Sequence, residues 1–240
     1  NIIKELELND RVIGGLNKES SKKAKQFYSS FCKGNLYTTN ARTAELVKLS
    51  ENAFRDVNIA FANELSMVCE RFGIETKDLI ELSNHHPRVN ILRPSCGVGG
   101  HCIAIDPWFI ASQAPDITPL IQTARNVNIS KTNWVIKKIE SIAKEFKYEN
   151  DRSPVLGLLG LTFKPDVDDI RESPALAIIQ NLLDKKYDLL VSEPNIQKFK
   201  GIKLYDHSDV IESSDLVFKL VKHKEFKDIK SNNKNIYDFS

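Results

Sequence analysis

The stretch Gly97-Val98-Gly99-Gly100-His101-Cys102-Ile103-Ala104-Ile105-Asp106-Pro107 concentrates more reactive chemistry than any other part of the sequence. Glycines let a backbone approach a ligand closely and present main-chain N–H donors. A cysteine at the end of such a loop can have its thiolate stabilised by those donors and act as a nucleophile. Asp106 follows four residues later, one helical turn if the loop enters a helix, where a carboxylate can orient or activate water. A structural glycine turn beside a packed thiol has the same spacing, and the residues alone leave both readings open.

Three further groups could carry chemistry. Lys48, Asn52 and Arg55 stand at i, i+4 and i+7, so a helix would place them on one face. Asn is a poor mid-helix residue, which points to a use for Asn52, although a solvated stripe has the same pattern. His85-His86-Pro87-Arg88 offers Arg88 as a grip for phosphate or sugar hydroxyls, with His86 as a neutral hydrogen-bonding neighbour. The two histidines, with Cys96, His101 and Cys102, also raise zinc, but no CxxC or HxxxH pair supports it. Finally, Leu161-Thr162-Phe163-Lys164-Pro165-Asp166 through Arg171-Glu172-Ser173-Pro174 leaves a strand candidate and enters a helix candidate. Ligands of α/β sheets bind at such a place, where a helix N-terminus favours anions. Lys164 and Arg171 suit phosphates, and Phe163 can cover a flat base. A charged surface loop is the plain alternative.

These groups need elements to hold them. Arg11–Leu16 and Leu36–Thr39 read as short strands around a helix from Ser20 to Phe31. Two strands and a helix do not close a core, and the chain opens at Asn1 in mid-pattern, so it reads as a piece of something longer. From Ala41 to Phe72 apolar residues recur at helical spacing without Gly or Pro, which predicts one helix of about eight turns, entered at Thr39 or Asn40 and ended by Gly73. Thr76 is expected to cap a short helix to Ser83. Residues 84–108 read as a loop, and Thr118-Pro119 opens a second long helix to about Lys147.

Asn150–Pro154 is a linker. Beyond it Val155–Leu161, Leu189–Val191, Lys203–Tyr205, Asp215–Val221 and Asn235–Asp238 alternate with helical stretches, Ser173-Pro174 opening one to about Lys186. This predicts an α/β protein with a parallel, doubly wound sheet after a helical middle. Gly157 and Gly160 fall in the first of these strands, so no GxGxxG fingerprint is present. The segments divide at 1–40, 41–150 and 151–240.

The chain has 240 residues, 41% hydrophobic and 28% charged, which excludes general disorder. A formal charge of +2 gives no reason to expect nucleic acid or a membrane surface as partner, and no apolar run reaches membrane-spanning length. Four scattered cysteines point to a reducing, cytoplasmic setting.

Four segments together resemble the nucleotide-sugar 6-dehydrogenases, the UDP-glucose and GDP-mannose dehydrogenase family. They are Asn9–Gly15, Ala44–Leu49 through Asn52 and Phe54, His86–Ile91 through Asp106, and Phe163-Lys164 through Arg171–Pro174. His101 before the cysteine and Ile105 before the aspartate resemble the branch acting on N-acetyl sugars. The resemblance implies an NAD-dependent, two-step oxidation of a UDP-sugar at C6, with Cys102 as nucleophile. It implies that Lys48 and Asn52 hold the reacting oxygen, and that Asp106 serves proton transfer or water activation. Arg55, His86, Arg88 and Gly99 match sugar-nucleotide positions, the arginine of the His-Pro-Arg loop being typically lent by a neighbouring subunit. Phe163 and Lys164 match the UDP side, and Arg171 a residue that reaches NAD. The long helix matches a homodimer-forming central domain followed by a Rossmann-like UDP-binding domain. Residues 1–40 match only the end of the family's NAD-binding domain, so little turnover is expected of this chain. The sister chemistry on UDP-GlcNAc, UDP-GalNAc or UDP-glucose, a non-catalytic dimerisation and nucleotide-binding module, and a cysteine hydrolase are the alternatives.

Overall fold

The computed structural model describes residues 2–229 and 235–240; residue 1 and residues 230–234, which belong to the outer two segments divided above, lie outside it. The chain opens with α1 (Ile2–Leu8), a helix the apolar pattern there did not resolve, followed by β1 (Arg11–Gly15), α2 (Lys18–Tyr28) and β2 (Leu36–Asn40). β1 and β2 pair in parallel as a two-stranded sheet, with Ile13 opposite Thr38.

The predicted long helix is α3 (Ala41–Phe72). Asn40 caps it, its side chain accepting the Thr43 N–H, and Gly73 ends it at φ 67°, a conformation glycine takes without a Cβ penalty. In α4 (Thr76–Ser83), Thr76 is the first helical residue and not the cap; Glu75 occupies that position without a side-chain bond. The loop that follows gives way at its end to α5 (Asp106–Gln113), too short for its periodicity to stand out. The second long helix, α6 (Pro119–Asn150), starts with Pro at its first position and runs three residues beyond the expected Lys147.

The polar and apolar faces of α3 are not where a periodic apolar reading puts them. Leu46, Phe54, Phe61, Val68 and Phe72 stay exposed, Phe54 at 70%. The face turned to α6 is small and polar instead, burying Asn52, Asp56, Ala60, Asn63 and Ser66. Arg125 of α6 donates to Asp56 Oδ1 at 2.5 Å, and Asn128 to the same oxygen at 2.8 Å. Asn63 donates to Asn128 Oδ1 at 2.9 Å, and Lys131 Nζ to Ser66 Oγ at 2.8 Å. Small residues bring the helices close, and polar residues so brought together must satisfy one another. Burial still raises the Asp56 carboxyl above its ordinary range, against the opposing pull of Arg125.

The last segment is a four-stranded parallel sheet in the order β4 (Asp188–Ser192), β3 (Val155–Leu159), β5 (Leu216–Lys219), β6 (Ile236–Asp238). It is flanked by α7 (Pro174–Asp184) and α8 (His207–Ser213), the latter a helix the pattern did not announce. The run expected as a strand at Lys203–Tyr205 makes only an isolated bridge, Leu204 to Val191. β3 stops at Leu159, which leaves Gly160 outside it at φ 100°. Leu156, Leu158, Ile178, Ile179, Leu182 and Phe218 are fully buried, and the same core takes in Val135 and Ile139 of α6. The sheet is therefore packed against the long helix and not merely linked to it. The ring of Phe218 stacks on Tyr237 and Phe239, extending this packing to the last residues of the chain.

Replacing Arg125 with Leu is expected to cost about 3–5 kcal/mol in urea denaturation, because it strands a buried carboxylate; the paired Asp56→Leu, Arg125→Leu variant should recover much of this loss. Lys131 gives a second test. Burial lowers its ammonium to about 8, so above that pH the unfolded chain binds more protons and stability gains as pH rises. Cys96, pushed up to about 12 by burial, acts in the opposite sense once pH passes 9. The stability of the wild type relative to Lys131→Met should therefore increase from pH 8 to pH 9.

Candidate active site

The cysteine loop is held at its base by the long helices. Asn63 of α3 accepts the Ser95 N–H at 2.8 Å, and Thr132 of α6 donates to the Cys96 carbonyl at 2.9 Å. Ser95 Oγ donates to the Gly97 carbonyl at 2.6 Å. Further along, the Asp106 N–H closes a turn on the Cys102 carbonyl at 2.8 Å, joining the cysteine to the first residue of α5. Asn52 then donates to Asp106 Oδ2 at 2.5 Å. Three of the residues singled out from sequence, Asn52, Asp106 and Cys102, are thus brought into one assembly. Cys102 is the one partly exposed cysteine, whereas Cys32, Cys69 and Cys96 are buried; all four are free. Lys48 lies one turn before Asn52, exposed and 3.5 Å from Glu51. Arg55 is exposed on the same helix.

The glycines have a steric use. A Cβ on Gly99 would lie 2.3 Å from the Glu172 carbonyl and 2.9 Å from both Phe163 Cβ and Pro174 Cδ. A Cβ on Gly100, which has φ 83°, would lie 2.8 Å from the Phe163 ring. The Gly100 N–H donates to the Arg171 carbonyl at 2.9 Å, so this donor is spent on the neighbouring loop and does not face the thiol. The cysteine loop and the Phe163–Pro174 loop are therefore pressed together, backbone against backbone. Phe163 is half-buried, and Lys164 is exposed with its Nζ 5.4 Å from the Phe163 ring centre.

Arg171 stands where the two loops meet. It forks onto Asp169, with Nε–Oδ1 at 3.0 Å and Nη2–Oδ2 at 2.6 Å. Those bonds hold the Asp169 carboxyl at about 2, with a smaller contribution from the charge of His101. The guanidinium is raised chiefly by Asp169, and also feels the Cys102 sulfur.

His86 and Arg88 are exposed and bonded only locally, the Arg88 N–H lying 3.3 Å from His86 Nδ1. The described residues whose metal-ligating atoms do cluster are Asp166, His223 and Glu225, none of which belongs to the histidine–cysteine set considered for zinc. His223 Nδ1 already accepts the Asp166 N–H at 3.0 Å, which occupies its lone pair. Asn63 and Asn128 escaped the sequence reading, although the mid-helix Asn signal used for Asn52 applies to both.

A dinucleotide needs a glycine-rich turn opening onto a free helix N-terminus. The 240 residues contain no GxGxxG, and the start of α2, the helix following β1, is closed by Asn17 and Ser20 of its own chain.

Residues 42–130 match the central domain of the UDP-glucose/GDP-mannose dehydrogenase family, and residues 157–239 its UDP-binding domain. The chain belongs to this family. It is similar to the UDP-N-acetyl-D-mannosamine dehydrogenase of Campylobacter jejuni, 48% identical over 238 residues that make up 96% of this chain and 57% of that relative. It is also similar to the NDP-N-acetyl-D-galactosaminuronic acid dehydrogenase of Ralstonia nicotianae, 46% identical, covering 94% of this chain and 53% of the relative. Among solved structures it is similar to a UDP-D-ManNAc dehydrogenase from Pyrococcus horikoshii, with a TM-score of 0.86 and 36% identity over 99% of this chain and 56% of that one. The chain thus spans little more than half the length of these relatives.

Replacing Gly99 with Ala forces the Glu172 backbone away. Overpacking of this kind costs about 1–3 kcal/mol. The expected outcome is faster proteolysis within residues 161–173 and a changed rate of Cys102 alkylation, read by mass spectrometry.

Proposed function

We propose that this chain carries the nucleophile and the nucleotide-binding face of an NAD-dependent dehydrogenase that oxidises C6 of UDP-N-acetyl-mannosamine to the uronate, for surface-polysaccharide precursors. The observation that carries the reading is the Asn52–Asp106–Cys102 assembly, pressed through Gly99 and Gly100 onto the Phe163–Arg171 loop.

In this reading Phe163 and Lys164 take the uridine diphosphate, placing the sugar C6 over Cys102. Asn52 and Lys48 hold the C6 oxygen as its charge develops; such donors are worth about 3–4 kcal/mol each at a transition state. Cys102 adds to the aldehyde as a thiohemiacetal and is carried on to the thioester. Asp106, tied to both Asn52 and the cysteine turn, orients the water that releases the acid. NAD, when bound, accepts the hydride in each oxidation. Arg55, His86, Arg88 and Gly99 complete the sugar-nucleotide contacts, with Arg88 serving a neighbouring subunit's site.

The homodimer belongs to the same proposal. The exposed stripe Leu46, Phe54, Phe61, Val68 and Phe72 on α3 is the apolar surface a second copy would cover. Among the described residues no helix is long and apolar enough to cross a membrane, and the free thiols suit the cytoplasm. The Ralstonia relative favours one second reading, the same chemistry on an N-acetyl-galactosamine nucleotide.

The chain is expected to bind UDP. A ligand at 100 times its dissociation constant stabilises by about 2.7 kcal/mol. Thermal unfolding should shift with UDP. A failure of UDP to shift the transition would overturn the nucleotide reading.

A further inference from the structure

The loop that carries Phe163 and Lys164 is gripped from below by two fully buried side chains, Glu193 and His223. Glu193 follows β4. Its Oε2 accepts the N–H groups of Leu161 at 2.8 Å and Thr162 at 3.2 Å, and lies 3.0 Å from His223 Nε2. Its Oε1 accepts from the Asn195 backbone at 2.9 Å. His223 Nδ1 lies 3.0 Å from the Asp166 N–H at the far end of the loop. An amide N–H can only donate, so Nδ1 carries the lone pair and the ring proton sits on Nε2, aimed at the Glu193 carboxylate. One carboxylate and one imidazole therefore hold the entry and the exit of a six-residue loop.

The grip has something to hold against. Asp166 adopts φ 59°, a left-handed conformation costly for a residue with a Cβ. Between the two anchors, Thr162 Oγ1 donates to the Lys164 carbonyl at 3.0 Å, which leaves the Phe163 and Lys164 side chains to project. Hydrogen bonds hold the Glu193 carboxyl below its ordinary value in spite of its burial, so it stays ionised as the acceptor.

We propose that Glu193 and His223 are positioning residues that preset the Leu161–Asp166 loop for the diphosphate, setting UDP affinity without touching the ligand. This rests on reading Phe163 and Lys164 as the UDP side. The test uses the chain free of ligand and then with UDP. Long-range proton–nitrogen NMR should find His223 unprotonated at Nδ1 and protonated at Nε2; the opposite tautomer overturns the proposal.

His223→Gln keeps a donor for Glu193 but has no acceptor for Asp166. Its Asp166 amide should exchange at least about tenfold faster, and UDP should bind about tenfold more weakly, the value of one net hydrogen bond. His223→Asn offers an oxygen where Nδ1 stood and should restore UDP affinity to within about threefold of wild type. Glu193→Gln should also weaken UDP binding, because one amide oxygen must replace two carboxylate oxygens that together serve Leu161, Thr162 and Asn195. Unchanged UDP affinity in His223→Gln beside a UDP-binding wild type overturns the relay alone. A wild type that does not bind UDP takes down the nucleotide reading with it.

Discussion

The arrangement depends on two absent side chains. Gly99 and Gly100 lie so close to Glu172 and Phe163 that a single carbon on either would collide. Two loops from different segments of the chain consequently meet at backbone distance, and the one hydrogen bond from Gly100 to Arg171 fixes their register. It joins the loop that carries the partly exposed Cys102 to the loop that carries Phe163, Lys164 and Arg171. A looser junction would let each loop choose its own conformation, and reactive groups act together only when their spacing is fixed to a fraction of an ångström.

Support for the junction comes from below on both sides, and both supports are polar. Under the cysteine loop, the chain from Arg125 through Asp56, Asn128 and Asn63 ends on the Ser95 amide. Under the opposing loop, Glu193 and His223 end on the Leu161 and Asp166 amides. Apolar packing is tolerant of small slides, whereas hydrogen bonds are short and directional. A buried polar network is costly when half-satisfied, but when satisfied it specifies one geometry. The apolar cluster around Ile139, Leu156 and Phe218 gives the sheet and α6 their cohesion, and the polar networks set where the loops lie.

The long elements were legible in the sequence because their signals are local. Asn40 and Gly73 mark the two ends of α3, and Pro119 marks the start of α6. The unbroken apolar run from Val155 marks a strand buried on both faces. The short helices α1, α5 and α8 cover about two turns each, too few for a period to emerge. The Lys203–Tyr205 run has strand composition but only a single bridging residue, since pairing is decided by neighbours and not by propensity. In the site, Cys102, Asn52 and Asp106 stood out by residue type and spacing. Their supports did not. Polar residues at helical spacing look the same whether they face water or a second helix, so Asp56 and Asn63 passed as ordinary. Glu193 and His223 lie 30 residues apart, and nothing in either's sequence surroundings names the other.

The α3 helix carries Asn52 on its buried side and the aromatic row of Phe54, Phe61 and Phe72 on its open side, with neither proline nor glycine anywhere along its 32 residues. Such a rod has no joint at which to relieve torsion. Its azimuth is a single variable: rolling the aromatic row by some angle rolls the amide that meets Asp106 by the same angle. Whatever settles on the outer side of the shaft therefore sets the orientation of the chemistry on the inner side, with the backbone acting as its own crankshaft.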